Sequence, residues 1–152
     1  MTTTKDLSRR QVREKVLQAL YAYVITNDEP KYIKETLLIF SSSLNNDKEF
    51  AHTLFDVVIN NEDKLSKYIK GLSENWGVDR IAMIDKILLK MGMCEMLFFE
   101  EIPTKVTLNE IIELAKTFST DKSPKFINGI LNAFLQKETK SGIIVKQGRG
   151  LK

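Results

Sequence analysis

The segment of residues 79–100, DRIAMIDKILLKMGMCEMLFFE, constrains the fold more than any other, because as a helix it is apolar on nearly every side. A helix of this kind is stable only where other elements cover it all round. Apolar residues recur at helical spacing along almost the whole chain, and a strand-like pattern is confined to residues 143–145. The sequence therefore predicts an all-α protein, a single-domain bundle of about seven helices.

Helix-start signals divide the chain into these helices. Some are capping boxes, in which two side chains satisfy each other's free backbone N–H groups, and others are prolines at the first helical position. Asp79, Thr107 and Ser123 are the predicted caps of the last three helices. The predicted helices span residues 8–27, 30–44, 46–59, 64–72, 79–99, 107–118 and 123 onwards.

The two ends of the chain differ in charge from its body. Residues 1–15 carry five basic and two acidic side chains, residues 16–135 carry thirteen and seventeen, and residues 136–152 carry five and one. Basic ends on an acidic body indicate a local site for a polyanion and a separate acidic surface for a basic partner. The alternative is that charged termini merely keep a small domain soluble.

The predicted domain organisation follows from these differences. We expect a flexible N-terminus at residues 1–7, a helical domain at residues 8–136 and a basic, disordered tail at residues 137–152, where glycines are interspersed with basic residues. The first residues lack the apolar core of a signal peptide, and no run approaches the roughly 18 apolar residues of a membrane span. We therefore expect a soluble cytoplasmic protein without a membrane partner.

Catalytic and metal-binding patterns are missing from the sequence. His52 is the only histidine, and the seven glycines are scattered instead of forming a phosphate-binding loop. Glu110 and Glu113 lack the histidine of a di-metal motif. The single cysteine, Cys94, lies in the most apolar helix, where an inert thiol is expected. We predict no catalytic residue, no metal and no cofactor, and hence a protein that is not an enzyme.

Three arginines, Arg9, Arg10 and Arg13, cluster at the start of the first predicted helix. Positive charge is unfavourable there, because the helix dipole already places positive charge at this end. Arg9 and Arg13 fall within or beside the apolar arc of the helix and should point toward neighbouring elements. A bound anion would offset the cost. The alternative for Arg13 is an ion pair with an internal carboxylate.

The joint between the last two predicted helices carries basic side chains and an aromatic ring. Lys122 and Lys125 can contact phosphates, and Phe126 can stack on a base, which contributes about 1–3 kcal/mol. The spacing of Phe126, Ile130 and Phe134 is equally that of a core stripe, and on periodicity alone it favours the core. The residues themselves leave both roles open.

Three segments of the chain resemble the NusB family. They are RRQVREKVLQALY at residues 9–21, DRIAMIDKILL at residues 79–89 and a longer, more specific block at residues 102–131. The resemblance implies an all-helical bundle that binds boxA-type single-stranded RNA of bacterial ribosomal RNA leaders. It also implies the ribosomal protein NusE as a partner, in a complex that helps RNA polymerase resist termination. A homodimer stays open, and so does the rival hypothesis of a helical scaffold that binds only protein.

The resemblance also implies two sets of site residues by their position in this chain. Tyr21 and Asp85 match positions that face NusE, and Asp85 would belong to the acidic surface. Pro124 stands where relatives usually carry histidine, and Lys122 where an acidic residue is common, so the RNA affinity can move either way. The residues matching RNA contacts are Arg9, Arg10, Arg13, Lys122, Lys125, Phe126 and Asn128.

Overall fold

Helices are the only regular elements in the part of the chain that the computed structural model describes, residues 7–41, 46–77 and 80–151. The all-α class and the number of helices are therefore confirmed. Residues 1–6 of the predicted flexible N-terminus and the predicted cap Asp79 lie outside the described residues. The elements are α1 (Arg9–Thr26), α2 (Pro30–Leu37), α3 (Asp47–Asn60), α4 (Glu62–Ser73), a 3₁₀ turn (Glu74–Trp76), α5 (Met83–Phe98), α6 (Thr104–Phe118), α7 (Ser123–Lys140) and a second 3₁₀ turn (Gly148–Leu151).

Helix α2 ends earlier than the sequence predicts. Leu38 leaves helical geometry with φ −107° and ψ 55°, and its side chain is buried. Its carbonyl accepts a hydrogen bond from Nε2 of His52 at 2.9 Å. This side-chain donor takes the place that the next helical N–H would have occupied, which accounts for the early end of α2 and gives His52 a structural role.

Helix α6 begins three residues before the predicted capping box, and the predicted cap Thr107 is therefore wrong. The Pro103 carbonyl accepts from the backbone N–H groups of Val106 and Thr107 at 3.0 and 3.2 Å, so the helix starts there. The Thr107 hydroxyl lies inside the protein and donates to Oε1 of Glu95 at 3.1 Å. Both side chains are fully buried, and their pairing satisfies polar groups that would otherwise be costly in the core.

The described chain forms two compact units, residues 1–59 and residues 60–152. In the first unit, Tyr23 of α1 meets Phe55 of α3 edge to face, with ring centroids 6.4 Å apart. Lys34 of α2 pairs with Asp56 of α3 at 3.0 Å. These contacts join the three helices around a shared apolar core. Its buried side chains include Val12, Val16, Leu17, Leu20, Ile33, Leu54 and Phe55.

Helix α5 is the central element of the second unit and packs against α4, α6 and α7. Its predicted burial is confirmed, since Leu88, Met91 and Met96 have no exposed surface. A side chain at Gly92 would bring its Cβ to 2.9 Å from Cδ1 of Leu131. Glycine at this position therefore allows α5 and α7 to approach closely.

The segment after α7 packs against the end of α5 and so departs from the predicted disordered tail. Lys146 donates to the carbonyls of Glu95 and Phe99 at 3.1 and 2.8 Å, and the Gln147 N–H donates to the Glu100 carbonyl at 3.1 Å. Carbonyls at a helix end lack intrahelical partners, and a cation there also complements the helix dipole. The composition indicated disorder, but it could not show that a lysine closes the end of α5.

Candidate nucleic-acid interface

Two serines of the joint between α6 and α7 form hydrogen bonds with one buried carboxylate. Asp85, in the first turn of α5, accepts hydrogen bonds from the hydroxyls of Ser119 and Ser123 at 2.5 and 2.9 Å. The Ser123 hydroxyl also accepts from the Thr120 N–H at 3.2 Å, so its side chain points back into the turn and not along α7 as a cap. Asp85 is buried, which is contrary to the prediction that it belongs to an exposed acidic surface facing NusE.

A groove of about 670 Å³ opens beside this joint. We call it the joint groove. Two of its acidic side chains are Asp85, which is engaged with the serines, and Asp121 at the rim. Three basic side chains and two aromatic rings share the same lining, so among the described lining residues the basic groups outnumber the acidic ones by one. These residues are Trp76, Arg80, Lys122, Lys125 and Phe126.

Phe126 is not an open stacking face, which agrees with the core alternative for this residue. Its side chain is 8% exposed, and the ring of Trp76 meets it edge to face with centroids 5.5 Å apart and planes at 88°. A Cβ at Gly129 would overlap the indole, so the glycine provides the space in which that ring lies. Trp76 itself is 41% exposed. The accessible aromatic surface of the joint groove therefore belongs to Trp76.

The predicted residues of the joint, Lys122, Lys125 and Asn128, are exposed together at one end of α7. The Asn128 side-chain oxygen accepts from the amide of Asn132 at 3.0 Å. Glu138 is the only acidic residue of α7, and it is 3% exposed. The outer face of α7 therefore carries lysines and amides without a carboxylate.

Sequence reasoning missed two residues of the joint groove, Trp76 and Arg80. Trp76 ends a 3₁₀ turn, and Gly77 follows it in the left-handed region at φ 60°. The available signal was an isolated tryptophan between polar residues and a glycine, outside any apolar stripe. Large aromatic rings in such a position are often exposed for binding.

The arginine cluster of α1 does not stand together at the surface. The Arg9 guanidinium lies 4.2 Å from the centroid of the Phe50 ring and pairs with Asp47 at 3.6 Å. Arg13 is 2% exposed and lies 5.3 Å from the same centroid. The burial of Arg13 is contrary to the predicted RNA contact, because a guanidinium enclosed in the unit cannot reach a phosphate. Arg10 is exposed, as predicted for an RNA contact.

The Tyr21 side chain on α1 is 43% exposed, as an interaction surface requires.

None of the helices in the described ranges combines the length and apolar character needed to cross a membrane. Within those same ranges, no three potential metal-binding side chains are grouped closely enough to hold an ion.

Known proteins resemble this chain over most of its length. Transcription antitermination protein NusB of Chloroherpeton thalassium is 38% identical over 146 residues, which cover 95% of this chain and 69% of that protein. The protein of the same name from Nitratiruptor sp. is 39% identical over 135 residues, which cover 89% of this chain and 96% of that protein.

Solved structures share the fold. The structure described as T. maritima NusB has a TM-score of 0.76 at 29% identity and covers 88% of this chain and 94% of its own. A structure of antitermination factors NusB and NusE in complex with dsRNA has a TM-score of 0.71 at 22% identity and covers 85% of this chain and 96% of its own. At this identity the likeness supports a shared fold and nothing more. The profile of the NusB family matches residues 10–136. The chain therefore belongs to the NusB family.

Proposed function

We propose that this protein is a bacterial transcription antitermination factor that binds boxA-type single-stranded RNA of ribosomal RNA leaders together with NusE, and that it is not an enzyme. Relatives of that name match nearly the whole chain. The observation that carries the proposal is the joint groove, where an exposed tryptophan lies among three basic side chains. Such a function places the protein in the cytoplasm, within the antitermination complex of RNA polymerase.

The joint groove has the two features that bind a single strand. Cations follow the phosphates, and an aromatic surface accepts an unstacked base, which a duplex does not present. Lys122, Lys125 and Arg80 supply the charge. Trp76 supplies the surface, while Phe126 holds its ring from the side. The role that the family resemblance gave to Phe126 is therefore one of support, and Trp76 makes the contact.

Asp85 and Arg13 act as positioning residues in this proposal. Asp85 fixes the turn from which Lys122 and Lys125 project, through its bonds to Ser119 and Ser123. Arg13 is packed beside Phe50 and contributes to the shape of the first unit. The remaining phosphate contact from α1 comes from Arg10, which is exposed.

Titration with RNA at several salt concentrations tests this function. A protein that neutralises phosphates of a single strand loses affinity with a log–log salt slope near −0.7 for each phosphate. The double variant Lys122→Ala/Lys125→Ala should flatten the slope by about 1.4. The control, Lys31→Ala/Lys105→Ala, removes two exposed lysines elsewhere and should leave it unchanged. Equal binding of boxA-like and scrambled RNA in the presence of NusE would favour the protein-only scaffold.

NusE binding is tested separately through Tyr21. Replacing Tyr21 with alanine should weaken association with NusE while the RNA affinity of the isolated protein stays unchanged. Tyr32 on α2 is the matched control, since its side chain is 55% exposed and no partner role is assigned to it. Equal effects of the two substitutions would place the partner surface elsewhere.

A further inference from the structure

The contact between Trp76 and Phe126 is repeated farther along α7. Tyr68 of α4 meets Phe134 edge to face, with centroids 4.9 Å apart and planes at 87°. The corresponding values for Trp76 and Phe126 are 5.5 Å and 88°. Tyr68 comes eight residues before Trp76, whereas Phe134 comes eight residues after Phe126. The segment from α4 to the first 3₁₀ turn therefore runs antiparallel to α7. Eight helical residues span about 12 Å.

The Tyr68–Phe134 pair also borders a basic groove, which we call the α4–α7 groove. Its volume is about 670 Å³, and Asp63 is the one acidic residue among the described residues of its lining. Gly71 lies in the lining with open space where a side chain would be. Three exposed lysines surround the groove, and the described residues provide no ion pair for any of them. These are Lys64, Lys67 and Lys137.

Tyr68 is held in a fixed orientation at the wall of the α4–α7 groove. Phe134 supports one edge of the ring, and the Glu138 carboxylate lies near the hydroxyl. Burial, together with the neighbouring Glu138 carboxylate, raises the pKa of the Tyr68 hydroxyl above its ordinary value. The side chain is nevertheless half-buried and not enclosed. The ring therefore presents a preorganised surface to the groove.

We propose that the α4–α7 groove is a second stacking site for single-stranded RNA, with one base on Tyr68 and phosphates on Lys64, Lys67 and Lys137. This inference rests on the proposed function, because the strand would continue from the joint groove along α7. A fixed aromatic wall inside a cationic groove is typical of single-strand binding. The separation of about 12 Å corresponds to roughly three to four nucleotides at a stacked spacing of about 3.4 Å.

The outer face of α7 between the two grooves suits such a path. Asn128 offers an amide side chain there, and so does Asn132 on the next turn. The helix has no exposed carboxylate to repel phosphates, because Glu138 is buried. An acidic protein segment would need only the lysines, whereas RNA also uses the tyrosine ring.

Binding of RNA oligomers of two lengths to the full-length protein tests the second site. One oligomer has about six nucleotides. Two longer oligomers of about twelve nucleotides extend this sequence, one at its 5′ end and the other at its 3′ end. For the wild type, extension at one end should raise the affinity at least about 5-fold, from one further stacked base. It should also steepen the salt slope by about 2, from three further phosphates.

Substitutions in the α4–α7 groove should remove only the gain from extension. The triple variant Lys64→Gln/Lys67→Gln/Lys137→Gln should bind the short oligomer like the wild type and show no steeper slope with the long ones. Tyr68→Leu should lose the added affinity, and Tyr68→Phe, which keeps the ring, should retain most of it. The matched control is the triple variant Lys31→Gln/Lys48→Gln/Lys105→Gln, checked with the others for folding by circular dichroism.

Three outcomes overturn the second site. One is that extension adds neither affinity nor slope in the wild type. Another is that the two triple variants behave alike with the long oligomers. The third is that polyglutamate binds the wild type but not the Lys64/Lys67/Lys137 variant, with no gain from longer RNA, which would assign the groove to acidic protein segments. Failure of the short oligomer to bind would instead contradict the joint groove and the proposed function.

Discussion

Asp85 accepts a hydrogen bond from Ser123 at 2.9 Å and thereby ties the first turn of α5 to the first turn of α7. The carboxylate is also favoured by its place at a helix N-terminus, where the helix dipole stabilises negative charge. An aspartate at the start of an otherwise apolar helix is explained by this internal role. The orientation of the lysines in the joint groove depends on it, since they project from the same turn.

Loss of the Asp85 carboxylate should destabilise the joint. Asp85→Ala leaves two hydroxyls without their acceptor and should lower the free energy of unfolding by about 1–3 kcal/mol. Asp85→Asn keeps one acceptor oxygen and should cost less. Urea denaturation measures both. Asp121→Ala, an exposed change at the same groove, serves as the control and should stay within about 0.5 kcal/mol; equal effects at the two positions would contradict the structural role.

The Trp76 ring should carry affinity that does not depend on salt. Trp76→Ala should weaken RNA binding at least about 5-fold with an unchanged salt slope, because stacking releases no counterions. Trp76→Phe keeps a ring and should retain most of the binding. An affinity unchanged in Trp76→Ala would remove Trp76 from the interface while leaving the lysine contacts standing.

Gly129→Ala should displace the Trp76 ring without deleting it. The added Cβ overlaps the indole, and the ring can shift because it is 41% exposed. Trp76 is the only tryptophan in the chain, so its fluorescence emission reports the displacement directly. We expect a changed emission and a weaker RNA affinity in the same variant. A changed emission with full affinity would mean that the position of the ring does not matter for binding.

Cys94 should make stability fall at alkaline pH. Burial, with a smaller contribution from Glu95, raises the pKa of the Cys94 thiol to about 12. The unfolded thiol has a pKa near 8.5, so above that pH the unfolded state loses its proton first and becomes relatively more favourable. The stabilising contribution is complete below about pH 8.5 and should shrink by about 1.4 kcal/mol at one unit above it.

Comparison with Cys94→Ala isolates this contribution from the titration of other groups. The difference in unfolding free energy between the two proteins should change between pH 8 and pH 9.5, and the wild-type thiol should resist alkylation until the protein unfolds. Rapid alkylation of the native protein at pH 8.5 would show that the thiol is accessible and contradict its burial.

Lys146 should contribute to stability through the end of α5. Lys146→Met keeps most of the apolar stem but removes the donor to the Glu95 and Phe99 carbonyls. Burial lowers the pKa of the Lys146 ammonium, so part of the gain from these bonds is lost to desolvation. We expect a net cost of about 1 kcal/mol in urea denaturation. Lys140→Met, at an exposed position, should be neutral, and a neutral Lys146→Met would mean that the bonds of Lys146 to the α5 carbonyls contribute nothing to stability.

The sequence predicted the helices well, because apolar periodicity follows directly from which face is buried. It failed where one local pattern serves two purposes. Thr107 with Glu110 has the spacing of a capping box, but the buried threonine hydroxyl donates a hydrogen bond to Glu95, which is distant in sequence. Arg13 likewise lies in a basic cluster that is typical of an anion site, and only the structure shows that it is buried beside Phe50.

The candidate site was half predicted for the same reason. Lys122 and Lys125 follow from charge at a helix joint, and both line the joint groove. Trp76 comes from a part of the chain about fifty residues earlier, and no local pattern connects it with Phe126. Asp85 was assigned outward because its partners, two serines more than thirty residues away, cannot be read from its neighbours in sequence.

Because Glu138 is buried, an acidic substitution on the exposed face of α7 affects RNA binding and folding differently. Positions such as Asn128 and Asn132 are exposed or half-buried, so an acidic replacement there costs the fold little. The same replacement would add the first negative charge to a face that has none. Natural variants on this face can thus lose binding while they remain folded and abundant, and a survey based on expression level alone would pass them as harmless.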